Sequence, residues 1–103
     1  MIVTVFRSRL REEFIHEYRV VAVEMETAAR MMQGFVSFKT FQAPDGERCS
    51  IVEFADWESH QAWAQHPRHR EAQIQGREKF YSEYSIAVAE VKHAYDFTTT
   101  CEL

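Results

Sequence analysis

Between residues 12 and 32 the apolar residues change spacing, from every second position to every third or fourth, and this change constrains the fold most. Phe14, Tyr18, Val21, Met25, Ala28 and Met32 fall along one side of a helix, and Gly34 stands where such a helix stops. On either side the pattern is extended. Residues 1–8 are rich in β-branched side chains and form a first strand. Residues 35–42 and 49–54 form a hairpin around the turn 43–47, where Pro44 and Asp45-Gly46 supply the turn dihedrals. Asp56 caps a short helix to about Gln65, a second helical piece starts at Pro67 and runs to about Lys79, and residues 81–91 are the last strand. The order is βαββαβ. It predicts an α+β, ferredoxin-like fold with both helical segments on one face of a four-stranded antiparallel sheet.

The strands carry a second message. A sheet covered on one side only should alternate apolar with polar residues. Here Phe35 and Phe41 are expected on one face and Val36 and Phe38 on the other, while Ile86 and Val88 alternate with Ala87, Ala89 and Val91. Both faces are apolar, so the helix-free face is expected to meet a second copy of the chain in a homodimer. At 103 residues there is room for one core. The domain is expected over residues 1–97, with 93–97 extending the last strand or forming an arm. Residues 98–103 make a tail whose default is disorder.

Charge removes several function classes. A net charge of −4 without basic blocks gives no electrostatic basis for nucleic-acid binding. Apolar runs are short, and Arg7 and Arg9 interrupt the first ten residues where a signal peptide needs apolar side chains. No membrane contact is expected, and the location expected is the cytoplasm. Cys49 and Cys101 form neither a disulfide framework nor a metal motif.

Chemistry concentrates in residues 62–73, where Trp63, His66, His69 and two arginines surround Pro67. Proline pushes the residue before it out of the helical region, so His66 is a boundary residue that either caps the next helix or takes part in chemistry. On a helix from Pro67, the residues His69, Ala72, Gln73, Gly76 and Phe80 are expected on one inward face, with Ile74 the only aliphatic residue larger than alanine. A His, a Gln and a Gly on that face fit either a pocket or a loosely packed rim. His69 is the better candidate base, or else a hydrogen-bonded helix side chain. Trp63 is a core residue or a pocket wall, and Phe38 and Phe6 are further wall candidates. Tyr81 and Tyr84 enter the last strand at opposite parities. Tyr84, in phase with Ile86 and Val88, is the expected pocket hydroxyl. Arg77 either reaches the pocket mouth or, with Arg70, pairs with Glu71, Glu78 or Glu83 at the surface. His16, His60 and His93 are expected in solvent. No third ligand stands at a supporting distance from His66 and His69, so no metal is expected, and no dinucleotide, phosphate or nucleophile-elbow motif is present.

Gly34-Phe35-Val36-Ser37-Phe38, Asp45-Gly46-Glu47, Ser50-Ile51-Val52-Glu53-Phe54, Trp57-Glu58-Ser59 and the run from Trp63 to His69 resemble the antibiotic biosynthesis monooxygenase family of dimeric α/β barrels, over residues 2–97. The resemblance implies a pocket between helices and sheet in each subunit, with Trp63 matching its wall. Haem-degrading relatives place an Asn on the first strand and a His on the later helix. Here Phe6, Arg7 and Ser8 occupy the first positions and Gln73 the last, which disfavours haem. What the resemblance implies is oxidation of a small electron-rich aromatic or quinol by O₂ without metal, flavin or other cofactor. His69 would be the base with His66 in reserve, Trp63, Phe38 and Phe6 would wall the ring beside Gln73, and Tyr84 or Arg77 would hold the oxyanion. The alternatives are a non-redox isomerase, a ligand-binding protein, or an interaction protein that has lost activity.

Overall fold

The computed structural model describes residues 1–99. It comprises β1 (Ile2–Leu10), a 3₁₀ turn (Glu12–Phe14), α1 (Ile15–Arg30), β2 (Phe35–Gln42), β3 (Arg48–Phe54), α2 (Trp57–Ala64), α3 (Pro67–Gln75), a π-helical turn (Gly76–Phe80) and β4 (Tyr81–Glu90). The sheet has the order β2-β3-β1-β4, with every neighbouring pair antiparallel. This is the ferredoxin-like α+β arrangement that the element order predicts. Residues 93–97 extend no strand, and Cys101 with the end of the tail lies outside the described residues.

Register decides what the helices cover. Residues directly opposite across neighbouring strands share a face. One row therefore runs through Phe35, Phe54, Ile2 and Glu90, the next through Phe38, Val52, Thr4 and Val88, and the next through Thr40, Ser50, Phe6 and Ile86. Val52 and Phe54 on these rows pack with Met25 and Ala29 of α1 and with Trp63 of α2, which identifies this as the helix-covered face. Ala29 is fully buried. Its single methyl lets α1 approach the sheet closely, and a large ring such as Phe54 fills the space beside it at a gain of roughly 2–3 kcal/mol.

Two irregularities correct the simple alternation. β2 has an extra residue between Phe35 and Ser37, so Phe35 and Phe38 share the helix face while Phe41, opposite Cys49, lies on the other. β4 shifts between its partners Arg9 and Leu10, with Glu83 opposite Arg9 and Tyr81 opposite Leu10. Ser82 is the residue passed over. Tyr81 and Tyr84 consequently share the helix face, where strict alternation separates them.

The helices cover the sheet unevenly. α1 lies over β2 and α2 over β3, whereas on β4 the helix-face residues Tyr84, Ile86 and Val88 remain 39%, 50% and 42% exposed. Among the described residues no helix is long and apolar enough to cross a membrane.

Gly34 joins these layers. Its φ is +83°, its carbonyl accepts from Ala55 N at 2.7 Å, and a Cβ there would stand 2.1 Å from Ser59 Oγ. Both the left-handed backbone and the contact with α2 exclude a side chain. Gly34→Ala is expected to destabilise the fold by more than about 1 kcal/mol in urea unfolding; an unchanged midpoint would contradict this account of the β2–α2 junction.

Candidate functional site

The α2–α3 corner is built by capping. The Asp56 carboxylate accepts from Ser59 N at 2.8 Å and starts α2, and hydrogen bonding from Ser59 holds its pKa below the usual carboxylate range. Pro67 ends it. His66, before the proline, is extended at ψ 129°, and its Nδ1 accepts from Arg68 N at 3.2 Å as the N-cap of α3. The same residue returns its carbonyl to Arg70 N at 2.9 Å. His66 thus has a defined structural duty at the boundary.

His69 folds back over the corner. Its ring stacks on the Trp63 indole with centroids 4.3 Å apart and planes at 10°, and Nδ1 lies 3.1 Å from the Trp63 carbonyl oxygen. A carbonyl only accepts, so this contact assigns the proton to Nδ1 and leaves the basic lone pair on Nε2. Burial lowers the His69 pKa below the ordinary 6.5. The Trp63 hydrogen bond opposes that shift, and charge from His66 and His60 adds to it. The ring is therefore neutral at neutral pH, with a fixed tautomer. Phe38 and Ala72 pack against the same buried cluster as Trp63.

The remaining candidates are distributed elsewhere. Phe6 and Tyr84 meet at 5.5 Å in a group of rings that includes Tyr81. Tyr81 continues this group to Tyr18, with centroids at 5.9 Å, and burial pushes its hydroxyl pKa well up. Sequence reasoning set Tyr81 aside because the shift at Ser82 is not written in the alternation, and it read Tyr18 only as part of the apolar side of α1. Gln73 corrects the expected inward face: it is exposed, while His69, Ala72, Gly76 and Phe80 are partly or fully buried. The buried line of α3 runs through His69, Ala72 and Gly76, and Gln73 falls past its edge. A π-helical turn then carries the line on from Gly76 to Phe80, and a Cβ at Gly76 would stand 2.7 Å from the Tyr81 ring. Arg77 is exposed and, among the described residues, has no carboxylate within ion-pair distance, nor has Arg70. Arg68 instead pairs with Glu71 and Glu24, and Lys79 with Glu17. His60 is partly buried with its ring 5.1 Å from Trp57, which corrects its expected place in solvent, whereas His16 and His93 are exposed. No three His, Cys, Asp or Glu residues are grouped to hold a metal ion among the described residues.

A family model described as antibiotic biosynthesis monooxygenase matches residues 1–75. Solved structures of similar shape include a Deinococcus radiodurans protein provisionally named an antibiotic biosynthesis monooxygenase, 13% identical, with TM-score 0.83 over 96% of this chain and 100% of that one. Rv0793 from Mycobacterium tuberculosis is 18% identical, with TM-score 0.78 over 91% and 98%. SnoaB from Streptomyces nogalater, a cofactor-independent oxygenase solved as a mutant, is 13% identical, with TM-score 0.76 over 90% and 94%. At such identities these likenesses speak for the fold. No curated protein matches the chain.

Two consequences follow for the corner. His66→Ala removes the α3 cap and is expected to cost about 1 kcal/mol in thermal or urea unfolding. The lowered His69 pKa sets the direction of a pH effect. On acidification the unfolded chain takes up the proton first, so the stability tied to neutral His69 is whole above 6.5 and declines as pH falls from there toward the folded value. Compared at about pH 7.5 and about pH 5.5, His69→Gln should lose less stability on acidification than the parent chain; equal losses would place the titration elsewhere.

Proposed function

The chain belongs to the antibiotic biosynthesis monooxygenase family, and on that footing we propose that it oxidises a small electron-rich aromatic or quinol-type substrate with O₂, using neither metal nor flavin. The observation that carries this reading is the state of His69: neutral, partly buried and stacked on Trp63, with Nε2 left as the acceptor. Cofactor-free oxygenation needs a base, because only the deprotonated substrate donates electrons readily to O₂. With an anthrone-like ring, the reacting CH₂ loses both hydrogens. One oxygen atom stays as the new carbonyl, the other leaves as water, and every electron comes from the substrate.

In this reading His69 takes the first proton. Trp63 and Phe38 make the dry side of the site, and the partly open strip of Phe6, Tyr84, Ile86 and Val88 is the floor on which a ring can lie. The Tyr84 hydroxyl, opposite Ser8 at the far end of this strip from Trp63, would hold a substrate oxygen remote from the proton that His69 takes. Gln73 and Arg77, both exposed, leave the wall, and Arg77 serves only at the rim. His66 positions the corner through its cap. The helix-free face, with Val3, Val5, Ile51, Ala87 and Ala89, would meet a second copy of the chain.

A second reading draws on Trp63. Its indole is only 4% exposed and packs among Met25, Ala29, Val52 and Phe54, as a structural tryptophan does. That favours an interaction protein of the same fold that has lost activity.

An oxygen electrode separates the two. With a panel of hydroquinones and anthrone-like phenols, the parent chain should consume O₂, and His69→Ala should slow it by about 10²- to 10⁴-fold. Unchanged rates in the variant would remove His69 as base, and no uptake with any substrate would favour the second reading. In sedimentation the chain is expected at twice its 12.2 kDa mass; a monomer at micromolar concentration would sink the dimer.

A further inference from the structure

At the opposite end of the helix-covered face lies a second chemically equipped region. β3 pairs Phe54 with Ile2 at the Trp63 end and Arg48 with Ser8 at the other. There a cleft of about 490 Å³ opens between the start of α1 and the β2–β3 turn, bordered by Arg9, Arg19, Arg48, Glu12, Asp45 and Ser82, with Leu10 and Ile15 as apolar lining. This volume is within the range of small-molecule sites.

The three arginines are not equivalent. Arg9 is saturated: Nη2 donates to Asp45 Oδ2 at 2.9 Å, Nη1 to the Asp45 carbonyl at 3.0 Å, and Nε to Glu83 Oε1 at 3.0 Å. Arg48 is not. Its guanidinium lies over the Tyr18 ring at 5.7 Å, Nη1 reaches only Gln42 Oε1 at 3.4 Å, and Nε is buried without a hydrogen-bond partner among the described residues. Nε is closed off from the cleft, so the donors Arg48 offers a ligand are its Nη groups, of which Nη2 makes no hydrogen bond among the described residues; a planar acceptor matches them best. Neither Arg48 nor Arg19 has a carboxylate within ion-pair distance among the described residues.

Charge selects the ligand. With Glu83, which pairs with Arg9, three arginines meet three acids, and the positive charge open to a ligand is that of Arg19 and Arg48, which have no carboxylate at ion-pair distance among the described residues. That suits a monoanion, while the three carboxylates would repel a dianion. The planar fork of Arg48, the unpaired Arg19 and the apolar Leu10 and Ile15 together specify a carboxylate on an apolar body.

We propose that this cleft binds a small monocarboxylate, with its carboxylate held by Arg48 and Arg19 and its apolar part against Leu10 and Ile15. The site rests on neither His69 nor the oxygenase reading, and it stands or falls apart from them.

The test uses the full chain and three probes: benzoate, the neutral benzamide, and inorganic phosphate, followed by calorimetry and by amide NMR shifts. Benzoate should bind saturably and move signals of residues 42–48 and of Tyr18 and Arg19, with benzamide and phosphate each weaker by about tenfold or more. Arg48→Gln and Arg19→Gln should each weaken benzoate about tenfold, and Arg48→Lys should recover only part of the loss because an ammonium cannot form the fork. Arg19 is exposed on α1, so Arg19→Gln reports on the site even if Arg48→Gln fails to fold. The proposal is overturned if benzoate shows no saturable binding. Benzamide binding as tightly, phosphate binding tighter, or Arg19→Gln binding benzoate like the parent chain would each overturn it too.

Discussion

The fold depends on how the two central strands seat one helix. β1 and β3 lie in the middle of the sheet, and Val52 and Phe54 of β3 press against Met25 and Ala29 of α1 with the Trp63 indole alongside. Everything at the α2–α3 corner is hung on this contact. Trp63 is held by the core, its carbonyl anchors His69, and its ring provides the surface on which the imidazole stacks. An apolar contact without direction thereby fixes the orientation of a titratable ring.

The two ends of the helix-covered face differ in kind. Ile2 and Phe54 themselves are apolar and buried, and a charge beside them is expensive. Near Ser8 and Arg48 the rows are polar and open beside a cleft. The His69 end suits a neutral base that must stay dry, and the Arg48 end suits a permanent cation that keeps contact with water. One sheet thus offers two environments separated by a few residues of strand.

Much of this is legible in the sequence. The helix from periodic apolar residues, the hairpin around Asp45-Gly46, the corner at Pro67 and the cap duty of His66 each follow from local rules, and the resemblance to the monooxygenase family rests on motifs along the same elements. What is not legible depends on single residues out of step. Gln73 follows His69 by four residues, a spacing that reads as inward, yet the buried line bends through Ala72 and Gly76 and leaves it in solvent. Strict alternation puts Tyr81 and Phe35 on the wrong faces because it runs straight through a bulge. The Arg48 cleft is hidden for another reason: its members come from β1, α1, the β2–β3 hairpin and β4, and no local pattern joins them.

The extra residues at Val36 and Ser82 also bear on how such chains can diverge. A strand's facing is set by counting, and with Ser82 deleted Tyr81 and Tyr84 would stand two positions apart, still on one face. Loss of one residue at either bulge would therefore keep the wall residues facing as they do, whereas the same loss elsewhere in β2 or β4 would turn over the strand beyond it. In this architecture the two bulges are the places where strand length can shrink by one residue without exchanging one set of wall residues for another.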